Sequence, residues 1–298
     1  MTYEGGRRGA ARRHRTRMGL YAIVMILVIL CADITYKMGE DEPATDSESE
    51  LDPDITKLSE SMLTRKGVYS VVDEMVINCW GDSMTEGVNG DGISYPEVLE
   101  DLTGIKTNNF GVAGENTLQI MERSAEYGDQ SNDIMIIEMG DNGGWESLPE
   151  LIEQYQEMID AAGCERYIII TSTDDPDDPE SIWYEETPCL GIDNTSYEQA
   201  LLDAFGDHVF LARRYLLING LKLNGIEAEK EDYRRAFNGD ISLKLRHSEI
   251  DNTHLNGLGY IAQAIGVYAK GVELGYWQDT GIDTGFVTTE EMLSNFFA

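Results

Sequence analysis

From about Val68 onward, short apolar runs alternate with longer stretches of helical pattern. The runs predict strands at residues 75–80, 107–111, 133–139, 167–172 and 208–211. The helical stretches lie at residues 95–103, 117–127, 147–162 and 196–205, and a last helix runs from Asn256 to about Leu274. Because strands and helices alternate, the pattern predicts an α/β domain with a parallel sheet and right-handed crossovers.

Two of the predicted strands are apolar without interruption, at residues 134–137 and 168–170. Continuous apolar runs are typical of parallel strands that are covered on both faces. The predicted domain spans residues 67–276. A C-terminal tail, residues 277–298, follows it and includes a possible short helix at 288–297.

The N-terminal part of the chain has the pattern of an export signal. Residues 1–17 carry six arginines and one acid, and an uncharged run of fifteen residues follows before Asp33. A bilayer needs roughly 20 apolar residues, which Ile34 and Tyr36 help to supply. With the basic tail (1–17) remaining in the cytoplasm, residues 18–36 are predicted to be a signal anchor or transmembrane segment.

A cleaved signal peptide is the alternative to this anchor. Cleavage after Ala32 would place the bulky Leu30 at the −3 position, which favours the uncleaved anchor. Residues 38–55 are almost all acidic or small, so residues 37–66 are predicted to be a disordered acidic linker. The domain is therefore expected outside the cytoplasm, tethered to the cell membrane, or secreted if the segment is cleaved.

Composition excludes one class of partner. The chain has 298 residues, of which 42% are apolar, and a formal net charge of −33. Residues 1–17 hold +5 of this charge, which leaves −38 for the rest. Nucleic-acid binding needs a basic footprint, so no nucleic-acid partner is expected.

The sequence predicts no metal site and no cofactor. No cluster of cysteine and histidine has metal-ligand spacing, and the acidic run at residues 174–178 lacks the glycine and glutamate of an EF-hand loop. That run is expected to be a solvated acidic loop. Cys164 and Cys189 could pair outside the cell, which distance alone decides.

Candidate chemistry lies in four loops, which contain Ser83, residues 109–114, residues 140–145 and residues 251–256. The carboxyl ends of neighbouring parallel strands share one crevice. A serine, two glycine-rich turns and an Asp-x-x-His could therefore converge there.

These residue types suit acyl transfer. Ser83 needs a base, and His254 follows the acid Asp251 by three residues, which places both on one side of a turn. Asp251 could then orient the imidazole. The backbone N–H groups of Ser83 and Gly111 and the amide of Asn142 could form an oxyanion hole. Each also has a plainer interpretation, because the glycine could only turn the chain and Asn142 or Asp251 could cap a helix.

The four motifs resemble the blocks of the SGNH/GDSL hydrolases, in the family's order, over roughly two-thirds of the chain. They are Gly81-Asp82-Ser83-Met84-Thr85, Gly111, Gly140-Asp141-Asn142 and Asp251-x-x-His254. The resemblance implies a flavodoxin-like three-layer α/β/α fold with a five-stranded sheet in order 2-1-3-4-5. It also implies ester hydrolysis through an acyl-enzyme on Ser83. Two departures, Met84-Thr85 in place of leucine and Gly143 in place of a common aspartate, affect specificity more than chemistry.

The substrate is less constrained by the sequence. Trp145 is a candidate sugar-stacking ring, with ordinary packing as the alternative, and the expected substrate is a small ester or O-acylated carbohydrate carrying a short acyl group such as acetate. A lysophospholipase, a thioesterase and an acyltransferase stay open. So does a surface carbohydrate-binding protein without turnover.

Overall fold

The computed structural model describes residues 75–179, 181–184 and 191–285. The predicted anchor, the acidic linker, Cys189 and the possible helix at 288–297 lie outside these residues. Among the helices that are described, none is long and apolar enough to cross a bilayer.

The elements alternate as the sequence predicts. The strands are β1 (Ile77–Gly81), β2 (Thr107–Gly111), β3 (Ile134–Glu138), β4 (Tyr167–Ile170) and β5 (Val209–Phe210). The helices are α1 (Ser83–Glu86), α2 (Tyr95–Thr103), α3 (Thr117–Tyr127), α4 (Leu148–Ala162), α5 (Ser196–Phe205), α6 (Ala212–Tyr215), α7 (Leu221–Leu223), α8 (Lys230–Asn238) and α9 (Gly257–Glu273). The described residues also contain three short turns of other helical types. Two are 3-10 turns, at Gly206–His208 and Leu243–Leu245, and one is a π-helical turn at Leu216–Gly220.

All five strands are parallel and lie in the order β2-β1-β3-β4-β5. The predicted order 2-1-3-4-5 is therefore confirmed. In the centre, β1 pairs with both β2 and β3, so that Gly81 lies beside Gly111 on one side and Glu138 on the other. The carboxyl ends of these three strands consequently meet at one edge of the sheet.

Alternate residues of each strand pack into two apolar layers, because successive side chains point to opposite faces. Ile77, Ile134 and Ile136 pack with α2 and α9 on one face. Trp80 and Ile137 pack with α3, α4 and α5 on the other. The result is the predicted three-layer α/β/α arrangement, with the central strands wholly buried.

Four helices were not predicted: α1, α6, α7 and α8. Three of them have only three or four residues. Helix α8 has nine residues, and its apolar positions Tyr233, Ala236 and Phe237 follow helical spacing, although Tyr233 and Phe237 are exposed in the structure.

The packed domain extends beyond the predicted boundary at residue 276. Trp277 is buried in the core, where its indole N–H donates to the carbonyl of Tyr268 at 2.8 Å. Further on, the Thr284 carbonyl accepts the hydroxyl of Tyr215 at 2.5 Å. The first residues of the predicted tail therefore belong to the fold.

Candidate active site

Ser83 stands where β1 ends and α1 begins. Asp82 caps this short helix by accepting the N–H of Met84 at 3.0 Å. A side chain at position 81 is excluded, because a Cβ there would lie 2.1 Å from Thr85 Oγ1 and 2.5 Å from the Glu138 carbonyl oxygen. The strand-to-helix turn thus needs glycine, and it presents the serine at the carboxyl edge of the sheet.

His254 connects Ser83 to Asp251. Its Nε2 lies 3.0 Å from Ser83 Oγ, and its Nδ1 lies 3.0 Å from Asp251 Oδ2. The loop fixes the acid as well, since Asp251 Oδ1 accepts the backbone N–H groups of Thr253 at 3.2 Å and His254 at 2.9 Å. This hydrogen-bonded line has the geometry of a nucleophile, a base and an orienting acid.

Electrostatics keep Asp251 ionised. Burial alone would raise its pKa, but the N–H bond and the charge of His254, together with the Thr253 N–H, hold the pKa below its usual value. A carboxylate at this place stabilises the imidazolium that forms when His254 takes a proton.

These residues open on a cavity of about 740 Å³. The described residues that line it are mostly polar, and they include Ser83, Asn142, Asp174, Asp178, Ile182, Ile250, Thr253 and His254. A reacting carbonyl could therefore reach the serine from solvent.

Asn142 lies beside the nucleophile, as predicted. Its Nδ2 donates to Asp82 Oδ2 at 3.1 Å and to the Glu115 carbonyl at 3.2 Å. The amide is thereby held between the β1 turn and the loop after β2. The structure brings Ser83, Asn142, Asp251 and His254 to one edge of the sheet.

Gly111 is placed differently from the prediction. Its N–H donates to Asn109 Oδ1 at 2.9 Å, and a Cβ at this position would lie 2.0 Å from the Glu86 nitrogen. The structure therefore shows Gly111 as the site of close packing against α1 and does not present its N–H as a free donor.

The same loop holds a second glycine. Gly114 has a left-handed φ of +79° and is exposed. Within the described residues no hydrogen-bond partner is recorded for its N–H. The next residue, Glu115, accepts the Asn142 amide. In the sequence, the only signal for Gly114 is its place three residues after Gly111, which makes it an equal candidate for the oxyanion donor.

Asp82 is a site residue whose environment the sequence did not reveal. Its burial raises its pKa from 3.8 to about 6, against the opposing effects of the Met84 N–H, the His254 charge and the Asn142 amide. Glu138 is buried nearby and Asp141 is half-buried, and removal from water followed by carboxylate repulsion raises the pKa of each well above its usual value. Three carboxyl groups that are at least partly removed from water, those of Asp82, Glu138 and Asp141, therefore lie near Ser83.

Trp145 is not among the described residues that line the cavity. Its ring stacks on Trp183 with 5.0 Å between centroids, and its Nε1 donates to the Gly140 carbonyl at 3.0 Å. These contacts favour the packing interpretation, and sugar stacking stays a prediction.

The expectation of a solvated acidic loop at residues 174–178 is wrong for its first two members. Asp174 and Asp175 are 7% and 2% exposed. Asp175 is paired with two arginines, Arg235 and Arg246. The sequence could not show this, because both arginines reach the loop from more than 55 residues away.

Two further sequence expectations concern ligands and thiols. Cys79 and Cys164 are both buried, and a bond from Cys164 to Cys189 stays untested, since Cys189 lies outside the described residues. In the same part of the chain, no group of three or more histidine, cysteine or acidic residues is arranged to hold a metal ion.

The five-stranded parallel sheet in this order, with helices on both faces, is a flavodoxin-like α/β/α fold. It is the fold of the SGNH/GDSL hydrolases, so the resemblance of the motifs is matched by the fold.

Comparison with known proteins gives the following likenesses. No family model matches the chain, and no curated protein does either. Among solved structures, a protein assigned to the G-D-S-L lipolytic family from Desulfitobacterium hafniense is 18% identical, with a TM-score of 0.45, over 67% of this chain and 99% of its own. A carbohydrate esterase family 2 enzyme from Myceliophthora fergusii is 13% identical, with a TM-score of 0.40, over 70% of this chain and 69% of its own. Phospholipase A1 from Streptomyces albidoflavus is 12% identical, with a TM-score of 0.33, over 66% of this chain and 98% of its own.

Proposed function

We propose that this protein is a serine carboxylic ester hydrolase that works through an acyl-enzyme on Ser83. The observation that carries the proposal is the line from Ser83 Oγ through His254 to Asp251, with 3.0 Å at each step. The line ends in an open cavity, where an ester carbonyl can approach the serine.

The chemistry follows from these positions. Ser83 Oγ attacks the ester carbonyl while His254 Nε2 takes the hydroxyl proton. The tetrahedral intermediate collapses, His254 passes that proton to the alcohol oxygen, and the alcohol leaves. Water then attacks the acyl-enzyme with His254 as the base, which releases the carboxylic acid and returns the proton to Ser83. Asp251 stabilises the charged imidazole in both halves.

The oxyanion hole is proposed to consist of the Ser83 N–H, the Gly114 N–H and the Asn142 amide. Both N–H groups of that amide are bonded in this structure, to Asp82 and the Glu115 carbonyl, so one of these bonds must be exchanged for a bond to the oxyanion. Gly114 takes the place predicted for Gly111, whose N–H is already bonded to Asn109. A crystal structure with a phosphonate bonded to Ser83 tests this. The phosphonyl oxygen should lie about 2.7–3.1 Å from the Gly114 nitrogen and Asn142 Nδ2. A contact with the Gly111 nitrogen instead would restore the original assignment.

A short acyl group, with acetate as the first candidate, is proposed for the substrate, carried on a carbohydrate or cell-wall polymer. Of the described residues that line the cavity, only Ile182 and Ile250 are large and apolar. A lysophospholipase or thioesterase needs more apolar surface than this for a long chain. Rates for p-nitrophenyl esters from acetate to palmitate test the point, and a rate that grows with chain length would contradict it.

The domain is proposed to lie outside the cytoplasm, held by residues 18–36. The support is the sequence pattern of six arginines before an apolar run. Protease treatment of intact cells should remove an epitope placed at the C-terminus. Protection of the epitope until the cells are lysed would contradict this orientation.

The first experiment uses the full chain and p-nitrophenyl acetate, with Ser83→Ala beside it. Turnover that disappears in the variant supports the esterase. If neither protein shows turnover, a fluorophosphonate probe decides between two explanations. Ser83 is labelled in an enzyme with a narrow substrate range, and it is not labelled in a binding protein. Adding a sugar alcohol as acceptor then distinguishes hydrolysis from acyl transfer, since only transfer yields a new ester.

A further inference from the structure

The cavity wall beside His254 carries a buried carboxylate with an unused oxygen. Asp174 is 7% exposed, and its Oδ2 accepts the hydroxyl of Ser181 at 2.7 Å. Its Oδ1 is buried and has no hydrogen-bond partner within the described part of the chain, although Asp174 lines the cavity that contains Ser83. A buried acceptor without a donor is unfavourable, so a ligand that supplies a donor gains affinity there.

The position of Asp174 identifies which half of an ester it would meet. His254 must pass its proton to the leaving alcohol, so the alcohol half lies on the side of His254. Asp174 is on that side, because the hydroxyl of its neighbour Thr173 donates to the carbonyl of Thr253, the residue before His254, at 3.1 Å.

We infer that Asp174 Oδ1 selects substrates by accepting a hydrogen bond from an O–H or N–H group on the alcohol half of the ester. This inference rests on the proposed esterase function and gives it a substrate class, the acyl esters of sugars and amino sugars. Asp141 and Asp178 line the same cavity, and its described lining contains no lysine or arginine. Because such a wall offers no cation, phosphate and carboxylate groups find no charge partner there, whereas neutral or cationic hydroxylated alcohols can donate to its carboxyl oxygens.

The test compares kcat/KM of the full chain on p-nitrophenyl acetate, 6-O-acetylglucose and 6-O-acetylglucosamine. In Asp174→Asn, the ratio of each sugar ester to p-nitrophenyl acetate should fall by on the order of 10- to 100-fold, the range for a hydrogen bond to a charged group. A loss on both sugars indicates hydroxyl recognition, and a loss on glucosamine alone indicates recognition of the ammonium group. Ratios unchanged on both would overturn the inference.

Asp178→Asn is the matched control. It removes the same charge from the same cavity, but Asp178 Oδ2 already accepts the Asn252 amide at 2.7 Å. Its ratio for the neutral 6-O-acetylglucose should fall much less than that of Asp174→Asn, and an equal fall in both variants would reduce the role of Asp174 to general charge.

A second measurement needs no variant and holds even if Asp174→Asn fails to fold. The unmodified chain should prefer 6-O-acetylglucose to its O-methylated analogue, which offers no donor, and equal kcat/KM for the two would overturn the inference. Absence of Ser83-dependent turnover on every ester is a different result. It would overturn the proposed function itself, and the inference with it.

Discussion

The carboxylate of Asp175 and the guanidinium of Arg246 form an ion pair of 2.6 Å that is almost completely excluded from solvent. Arg246 also donates to the carbonyl oxygens of Thr173 at 2.6 Å and Thr253 at 2.7 Å. One buried side chain thus joins the loop after β4 to the loop that carries Asp251 and His254.

Arg246→Ala should therefore damage both stability and turnover. Removing one partner of a buried ion pair costs about 3–5 kcal/mol when the remaining charge is left alone. Arg235 still pairs with Asp175 in this variant, so the free energy of unfolding should fall by less than that range. The Thr253 carbonyl also loses a donor, so kcat should fall because the Asp251–His254 loop loses support. Urea unfolding and p-nitrophenyl acetate turnover measure the two effects.

Arg234→Ala is the control for this change. Arg234 pairs with Glu231 on the surface, where the two side chains are 63% and 55% exposed. Exposed pairs contribute little to stability, so this variant should unfold near the urea concentration of the unmodified chain. A loss as large as that of Arg246→Ala would contradict the special role of the buried pair.

Ser83→Ala and His254→Ala should each lower kcat by at least about 1,000-fold, because nucleophile and base act as one unit. The double variant should be scarcely slower than either single one. Both should keep the melting temperature of the unmodified chain to within a few degrees. Ser131→Ala, an exposed serine in the loop before β3, controls for the loss of a hydroxyl. Additive losses in the double variant would argue against a coupled pair.

Asn142→Ala should lower kcat by on the order of 100- to 1,000-fold with a smaller change in KM, as the loss of one oxyanion donor does. The amide acts mainly on the charge that develops in the transition state, so binding of the ground-state ester depends on it less. Asn132→Ala is the matched control, because it removes the amide of an exposed asparagine in the loop before β3. An unchanged rate in Asn142→Ala would remove this residue from the oxyanion hole.

Asp82→Asn should change how stability depends on pH. The pKa of Asp82 rises from 3.8 to about 6 on folding because of burial, so this group favours the folded state fully below pH 4 and loses that contribution as pH rises through 6. The shift corresponds to about 3 kcal/mol. Relative to the unmodified chain, Asp82→Asn should therefore gain stability between pH 4 and pH 7, as measured by urea unfolding.

Asp251→Asn should change the pH dependence of stability in the opposite direction to Asp82→Asn. The pKa of Asp251 is lowered in the folded state, so its contribution to stability is present above the unfolded pKa and is lost as pH falls through the folded pKa. Relative to the unmodified chain, the variant should therefore lose stability as pH rises towards about 4, and the difference should stay constant above that pH. Two variants with the same pH trend would contradict these assignments.

Much of the fold was predictable because it depends on local patterns. The predicted helices at 95–103, 117–127 and 196–205 match α2, α3 and α5 residue for residue. Their ends carry glycine just beyond the last turn, a signal that can be read in the sequence. The triad was predictable for a similar reason, since a three-residue spacing on a tight turn places Asp251 beside His254 whatever surrounds them.

Other features depended on which distant residues meet. Gly111 and Gly114 are equivalent as glycines in the sequence, and only the Asn109 side chain and the approach of α1 distinguish their N–H groups. Asp174 and Asp175 look like solvated acids until Arg235 and Arg246 reach the second of them. The sequence by itself determined the order of the elements and pointed to the proposed nucleophile, base and acid, because short-range periodicity and the spacing of the motifs indicate them. The tertiary structure alone decided which donors are free and which acids are buried, because burial and hydrogen bonding are set by contacts between residues far apart in the chain.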